Sequence, residues 1–267
     1  MAAVDAVHSG ALDVSWHHEG HRAVCMVKWG GVQIIEVTEF GVRSAVIRLR
    51  RRGTPLQFVL YPMIHVGRPA FFAAVTKRLE ASDVIVVEGV GGGRRKHSVL
   101  LHALTLSYRA LRFNRRARLV EQKIDYAALG VPLVRPDVSL EQFEAGWRRI
   151  PFVDRLMIWT VLPLVILGRL FGGTRTIWTQ SMEQNDLPSP EEEEAADQLP
   201  ELEAAFGGDR DDRLLEALFR LHEERGGEDI EVAVVYGAAH MPAIVRGLFD
   251  RYRYRPRSGE WLTVVDL

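Results

Sequence analysis

Two stretches of this chain read almost as copies of each other, and each carries a histidine just past an apolar run. The first is Val59-Leu60-Tyr61-Pro62-Met63-Ile64-His65, and the second is Val234-Val235-Tyr236-Gly237-Ala238-Ala239-His240. Tyr and His hold the same spacing in both. Pro69-Ala70 follows the first and Pro242-Ala243 the second, each opening a segment of helical spacing. Each segment leads to another apolar run ending in a carboxylate, Glu88 in one case and Asp266 in the other. A strand–turn–helix–strand unit used twice demands an α/β fold. It also leaves His and carboxylate side chains at strand ends, where crevices open in sheets of this kind.

The chain has 267 residues, is 47% hydrophobic and carries a formal net charge of −1. It can bury a substantial core, and we read it as a single domain over 1–267. The charge balance gives no global field that favours nucleic acid. Cys25 is the only cysteine, so an intrachain disulfide and a multi-cysteine zinc site are excluded, as fits a reducing compartment. Residues 1–8 lack the basic region and apolar core of a signal peptide. The expected location is cytoplasmic, with peripheral membrane contact left open.

Residues 23–28, 32–37, 44–50 and 56–61 alternate as strands do, with Gly30-Gly31, Gly41 and Gly53-Thr54-Pro55 as turns. They suggest an N-terminal antiparallel meander. Residues 69–81 carry apolar positions near helical spacing with Pro in the first turn. Residues 83–88 suit a strand buried on both faces. A helical insertion is expected over about 97–230, ending in an amphipathic helix over 210–224 closed by Gly226-Gly227. A strand over 231–236, a helix over 242–252 and a strand over 261–265 complete the second copy. The sum is a mixed sheet from two related halves, with a helical insertion.

Residues 156–168 contain no charged side chain, but are fewer than the roughly 20 needed to cross a bilayer. They read as a buried helix kinked at Pro163. The alternatives are an interfacial helix or a homodimer contact through 156–171. The arginines of 98–118 read as a solvated helix face. Trp16-His17-His18-Glu19-Gly20-His21 reads as an exposed turn between two strands. Met182-Glu183-Gln184-Asn185-Asp186 reads as a polar segment away from the site. His97, His102 and His222 sit in helical surroundings without metalloprotease spacing.

His65, Glu88, His240 and Asp266 each follow apolar strand residues and can converge beyond the sheet. Imidazole and carboxylate suit first-row divalent metals such as Mn, Co or Zn. Two His and one carboxylate would hold an ion and leave positions open for water or substrate. Glu88 serves equally as a third ligand or as a general base, and the residues do not decide between them. Gly237 before His240 allows close approach and a positive φ, which Pro62 does not. Asp266, next to last, is the weakest member and reads as structural.

At these residues the chain resembles the TraB/PrgY/GumN family, which includes the Tiki proteases. The resemblance rests on a G-x-x-H motif at Gly237-Ala238-Ala239-His240 and a degenerate copy at Pro62-Met63-Ile64-His65. It is extended by Glu88 and by Asp209-Arg210-Asp211-Asp212-Arg213-Leu214, similar to an E-R-D-x-x-[ML] stretch. It spans about 55–267 and implies an α/β fold related to erythromycin-esterase and ChaN-like proteins. It also implies metal-dependent peptidase activity, as in the Tiki members, and makes Arg210 the matched arginine. The expectation is a metal-dependent hydrolase acting on a peptide or small molecule. His65, His240 and Glu88 would hold the metal, and Glu88 and Arg210 would be catalytic. The alternative is a non-catalytic binding protein that uses the same cleft.

Overall fold

The structure, a computed structural model, describes residues 13–19, 22–28, 32–89, 119–137, 140–171, 184–185 and 208–266. The chain divides into two units, Met1–Val32 and Gln33–Leu267. The first contains an antiparallel pair, β1 (Asp13–Glu19) and β2 (Arg22–Lys28), in which Trp16 faces Cys25 and His18 faces Ala23. The segment 16–19, expected as a turn, is therefore strand. Val14, Trp16 and His18 alternate with Asp13, Ser15 and His17, and aromatic and β-branched residues suit a pleated surface.

The second unit is built on an eight-stranded mixed sheet. β3 (Gln33–Thr38), β4 (Gly41–Arg50) and β5 (Gln57–Met63) form an antiparallel meander from three of the four strands expected, whereas the fourth, 23–28, lies in β2 and pairs with β1 in a separate sheet. A separate short strand β6 (Val66–Gly67) follows, then helix α1 (Pro69–Leu79) and strand β7 (Val84–Val87). Pro69 opens α1, where a missing N–H costs nothing, and Phe71, Phe72, Val75 and Leu79 are its buried side.

The region 97–230 is not wholly helical among the described residues. It holds β8 (Val120–Glu121), which pairs with β6, and a 3-10 turn at Tyr126–Leu129. It also holds β9 (Leu133–Val134), which joins the main sheet beside β7, and β10 (Gln184–Asn185), paired with β3. Its helices are α2 (Leu140–Arg149), α3 (Phe152–Phe171) and α4 (Asp209–Arg225). Asp209, Asp211 and Asp212 occupy the first turn of α4, where carboxylates favour the positive end of the helix dipole. The arginines of 98–118, His97 and His102 lie outside the described residues.

The helix expected over 156–168 forms as part of α3 and runs through Pro163, but it is not buried. Leu156, Met157, Trp159, Val161 and Leu164 are exposed. Apolar composition made the segment helical and said nothing about which neighbour would cover it.

β11 (Glu231–Gly237), helix α5 (Met241–Tyr252) and β12 (Arg255–Asp266) end the chain. β11 lies between β5 and β7 and is parallel to both. Val84–Val87 and Val232–Val235 are buried throughout, the apolar continuity of strands covered on both faces. α4 and α5 pack tightly: a Cβ on Gly247 would lie 2.5 Å from Leu215 Cδ2. Their buried residues include Leu214, Leu218 and Leu221 on α4 and Ile244, Val245 and Leu248 on α5.

The two copies of the repeat share a path and then diverge. β7 returns beside β11, whereas β12 returns along β4. Their register is offset as well. Tyr236 pairs with Pro62 and Val235 with Tyr61, so the two matched tyrosines point to opposite faces of the sheet.

Candidate functional site

Four parallel strands lie in the order β5-β11-β7-β9. Beyond their carboxyl ends come His65, His240, Glu88 and Asp137 respectively. The first turn of α4 brings Arg210 and Asp211 to the same end through contacts with these residues.

Arg210 spans two carboxylates. Its Nη2 donates to Glu88 Oε1 at 2.6 Å and to Asp137 Oδ2 at 2.7 Å, and its Nε donates to Asp137 Oδ1 at 2.8 Å. The Asp137 side chain is wholly buried and also accepts from the Gly89 amide at 3.0 Å. Glu88 is held at both ends. Its own amide donates to Val235 O at 3.0 Å, and its Oε2 accepts from the Gly237 amide at 2.6 Å. Burial alone would raise the Glu88 carboxyl, but Arg210, with the His240 and His65 imidazoles, outweighs it and holds the group below the ordinary carboxylate range. Burial likewise works against the Arg210 charge, and the bonds to Asp137 and Glu88 more than offset it, keeping the guanidinium charged.

Gly237 matters here for space. Its φ is −52°, so the positive φ expected from glycine is not used. A Cβ at this position would lie 3.1 Å from Glu88 Oε2 and 3.7 Å from His240 Cδ2. A side chain there would crowd the carboxylate by a few tenths of an ångström, and glycine leaves that space open beside the amide that bonds Glu88.

His240 closes a 3-10 turn, Ala238–His240, between β11 and α5, and is buried. Its Nδ1 lies 2.5 Å from Asp211 Oδ1. An ionised carboxylate only accepts, so Nδ1 carries the proton, and the neutral form of this ring would keep its lone pair on Nε2. That atom faces Glu88 Oε1 at 3.8 Å, beyond hydrogen-bond reach. Tyr236 stands edge-on to the imidazole, with centroids 5.7 Å apart. Its hydroxyl is buried with no hydrogen-bond partner among the described residues. Burial, then Asp137 and Glu88, push that phenol above its usual range.

His65 is exposed, in contrast to His240. The β6–β8 pair pins its turn, and its carbonyl accepts from the Gln122 amide at 2.8 Å. Gln122 Nε2 donates to the Tyr126 hydroxyl at 3.1 Å. Burial, opposed by that hydrogen bond and reinforced by the Glu88 charge, raises the Tyr126 phenol to about 12.

Of the residues singled out from sequence, Glu88, Arg210 and His240 come together directly, and His65 lies near enough to act electrostatically on Glu88. Asp266 is engaged elsewhere, by Arg68 just before α1. Gln184-Asn185 lies on the β3 edge, at the opposite end of the sheet order from β9. Asp137 and the role of Asp211 were not anticipated. Asp137 follows a strand of only two residues, too short to show alternation, whereas Asp211 sits inside the stretch that singled out Arg210.

His240 Nε2 and Glu88 Oε1 supply two donors whose separation suits a shared divalent ion, and a carboxylate on the far nitrogen is the usual way a metal-binding His is oriented. Among the described residues no three His, Cys, Asp or Glu side chains form a complete metal-holding group. Comparison with known families, characterised proteins and solved structures returned no match for the chain.

Proposed function

We propose that the chain is a metal-dependent hydrolase of the peptidase type, with His240 and Glu88 holding a divalent ion and His65 completing its shell. The observation that carries this reading is the Asp211–His240 pair, which leaves Nε2 facing Glu88 at 3.8 Å. Electrostatics support it. Glu88 and Asp137 flank one guanidinium, that of Arg210, and Asp211 holds His240 beside them, an excess of carboxylates that favours a cation.

A bound ion would supply Lewis-acid activation of a water and of the scissile carbonyl. The chain's own residues supply the positioning. Asp211 fixes the His240 tautomer. Arg210 and the Gly237 amide hold Glu88 ionised and aimed, an arrangement that suits a ligand better than a proton acceptor, whose ideal pKa lies near the working pH.

A second reading has its own observation. Arg210 is already matched by Glu88 and Asp137, and such a closed ion cluster also suits a non-catalytic cleft that binds a peptide or small ligand. A mixed peptide library separates the two. It would be incubated with wild type and His240→Ala, each reloaded with Mn, Co or Zn, and read by mass spectrometry. New peptide termini produced only by loaded wild type support hydrolysis. Retention of peptide without new termini supports binding.

A further inference from the structure

We propose that the outward face of α3 docks on an anionic lipid surface, lying along it with its apolar side chains among the headgroups. This does not rest on the hydrolase reading. Phe152, Val153, Leu156, Met157, Val161 and Leu164 recur at three- and four-residue spacing and so share one side of the helix. Phe152, Val153 and Leu164 are 71%, 72% and 67% exposed. The opposite side, with Asp154, Arg155, Ile158 and Leu162, is half-buried. The helix is thus inverted relative to an ordinary surface helix, with charge turned inward and a charge-free apolar stripe turned outward.

What covers the stripe is indicated by charge. Residues 140–171, which span α2 and α3, contain four arginines (148, 149, 155 and 169) and three acids (Glu141, Glu144 and Asp154), and Arg155 lies on the half-buried side, so the positive charge beside the stripe is that of Arg148 and Arg149. Arg148 and Arg149 are exposed in the last turn of α2, just ahead of Phe152. Trp147 and Trp159 tie α2 to α3 edge-to-face, with centroids 6.2 Å apart. An apolar stripe, flanking arginines and nearby indoles fit a bilayer interface. A second copy would bring its own Arg148-Arg149 pair to the contact. α3 has 20 residues, about 30 Å at 1.5 Å per residue. No helix of the described residues is long and apolar enough to cross a membrane.

The test is flotation of the full chain with vesicles of pure phosphatidylcholine and of phosphatidylcholine mixed equally with phosphatidylserine. The variants are Leu164→Glu, Phe152→Glu and the pair Arg148→Glu/Arg149→Glu. All four sites are exposed, and circular dichroism checks that the fold is kept. Wild type should float with the anionic vesicles, and each Glu on the stripe should weaken binding by about tenfold or more. The arginine pair should lose the preference for phosphatidylserine. Three results would overturn the proposal: no flotation of wild type with either vesicle, binding that the stripe variants leave unchanged, or a dimer seen by light scattering that Leu164→Glu dissolves without any vesicle binding.

Discussion

Asp211 holds His240 by its Nδ1 at 2.5 Å, and in doing so aims Nε2 at Glu88. One turn of α4 thereby serves two purposes: Arg210 secures the carboxylates that follow β7 and β9, while its neighbour orients the imidazole that follows β11. Removing Asp211 should therefore separate positioning from folding. Asp211→Ala is expected to lower metal affinity by about 10- to 100-fold with the fold intact. Isothermal titration with Mn, Co and Zn, beside a thermal melt, checks this; unchanged affinity in a folded variant would leave Asp211 a structural partner only.

Arg210 is the member the fold can least do without. Arg210→Ala leaves Glu88 and Asp137 facing each other without their shared cation, at a cost of about 3–5 kcal/mol. Because Arg210 holds the Glu88 carboxyl low, the wild-type stability it contributes is present above the unfolded carboxylate value and lost as pH falls through the folded one. The deficit of the variant should accordingly shrink towards acid pH, where the Glu88 carboxyl protonates. Urea unfolding of the two proteins at several pH values measures it; a deficit constant with pH would contradict the charge argument.

His222 reports on the far end of α4. Arg51 Nη1 lies 3.0 Å from its Nε2, and Tyr254 Oη lies 3.0 Å from its Nδ1. A guanidinium cannot accept, so Nε2 is unprotonated and Nδ1 donates to Tyr254. Tyr252 stacks on the ring, with centroids 4.0 Å apart. Burial, then Arg51, lower the His222 pKa against the opposing pull of Glu223. Below about 6.5, the unfolded value, the unfolded chain takes up a proton more readily than the folded one, so stability falls as pH drops and is fully present above that point. His222→Gln should flatten this part of the profile between about pH 7 and 5. Equal slopes in both proteins would show that other groups carry it.

β5, β7 and β11 were legible in the sequence because strands covered on both faces are written as unbroken apolar runs, and the repeated Tyr…His spacing marked where two of them end. The convergence of His240, Glu88 and Arg210 followed from those ends and from the DRDDRL stretch. Asp137 was hidden because β9 has two residues, and periodicity needs more. The repeat also suggested more symmetry than exists. The one-residue offset that pairs Tyr236 with Pro62 comes from sheet register, and spacing along a single chain carries no record of it. The exposure of α3 was hidden for a related reason, since apolar content predicts a helix with a face to cover but not the covering partner.

Metal content tests the central claim most directly. Wild type, His65→Ala and His240→Ala would be stripped, reloaded with Mn, Co and Zn in turn, desalted and measured by mass spectrometry beside a thermal melt. The account expects near-stoichiometric metal in wild type, lost in His240→Ala and reduced in His65→Ala, with all three proteins folded. Wild type that takes up none of the three ions, or a folded His240→Ala that retains its full complement, would contradict it.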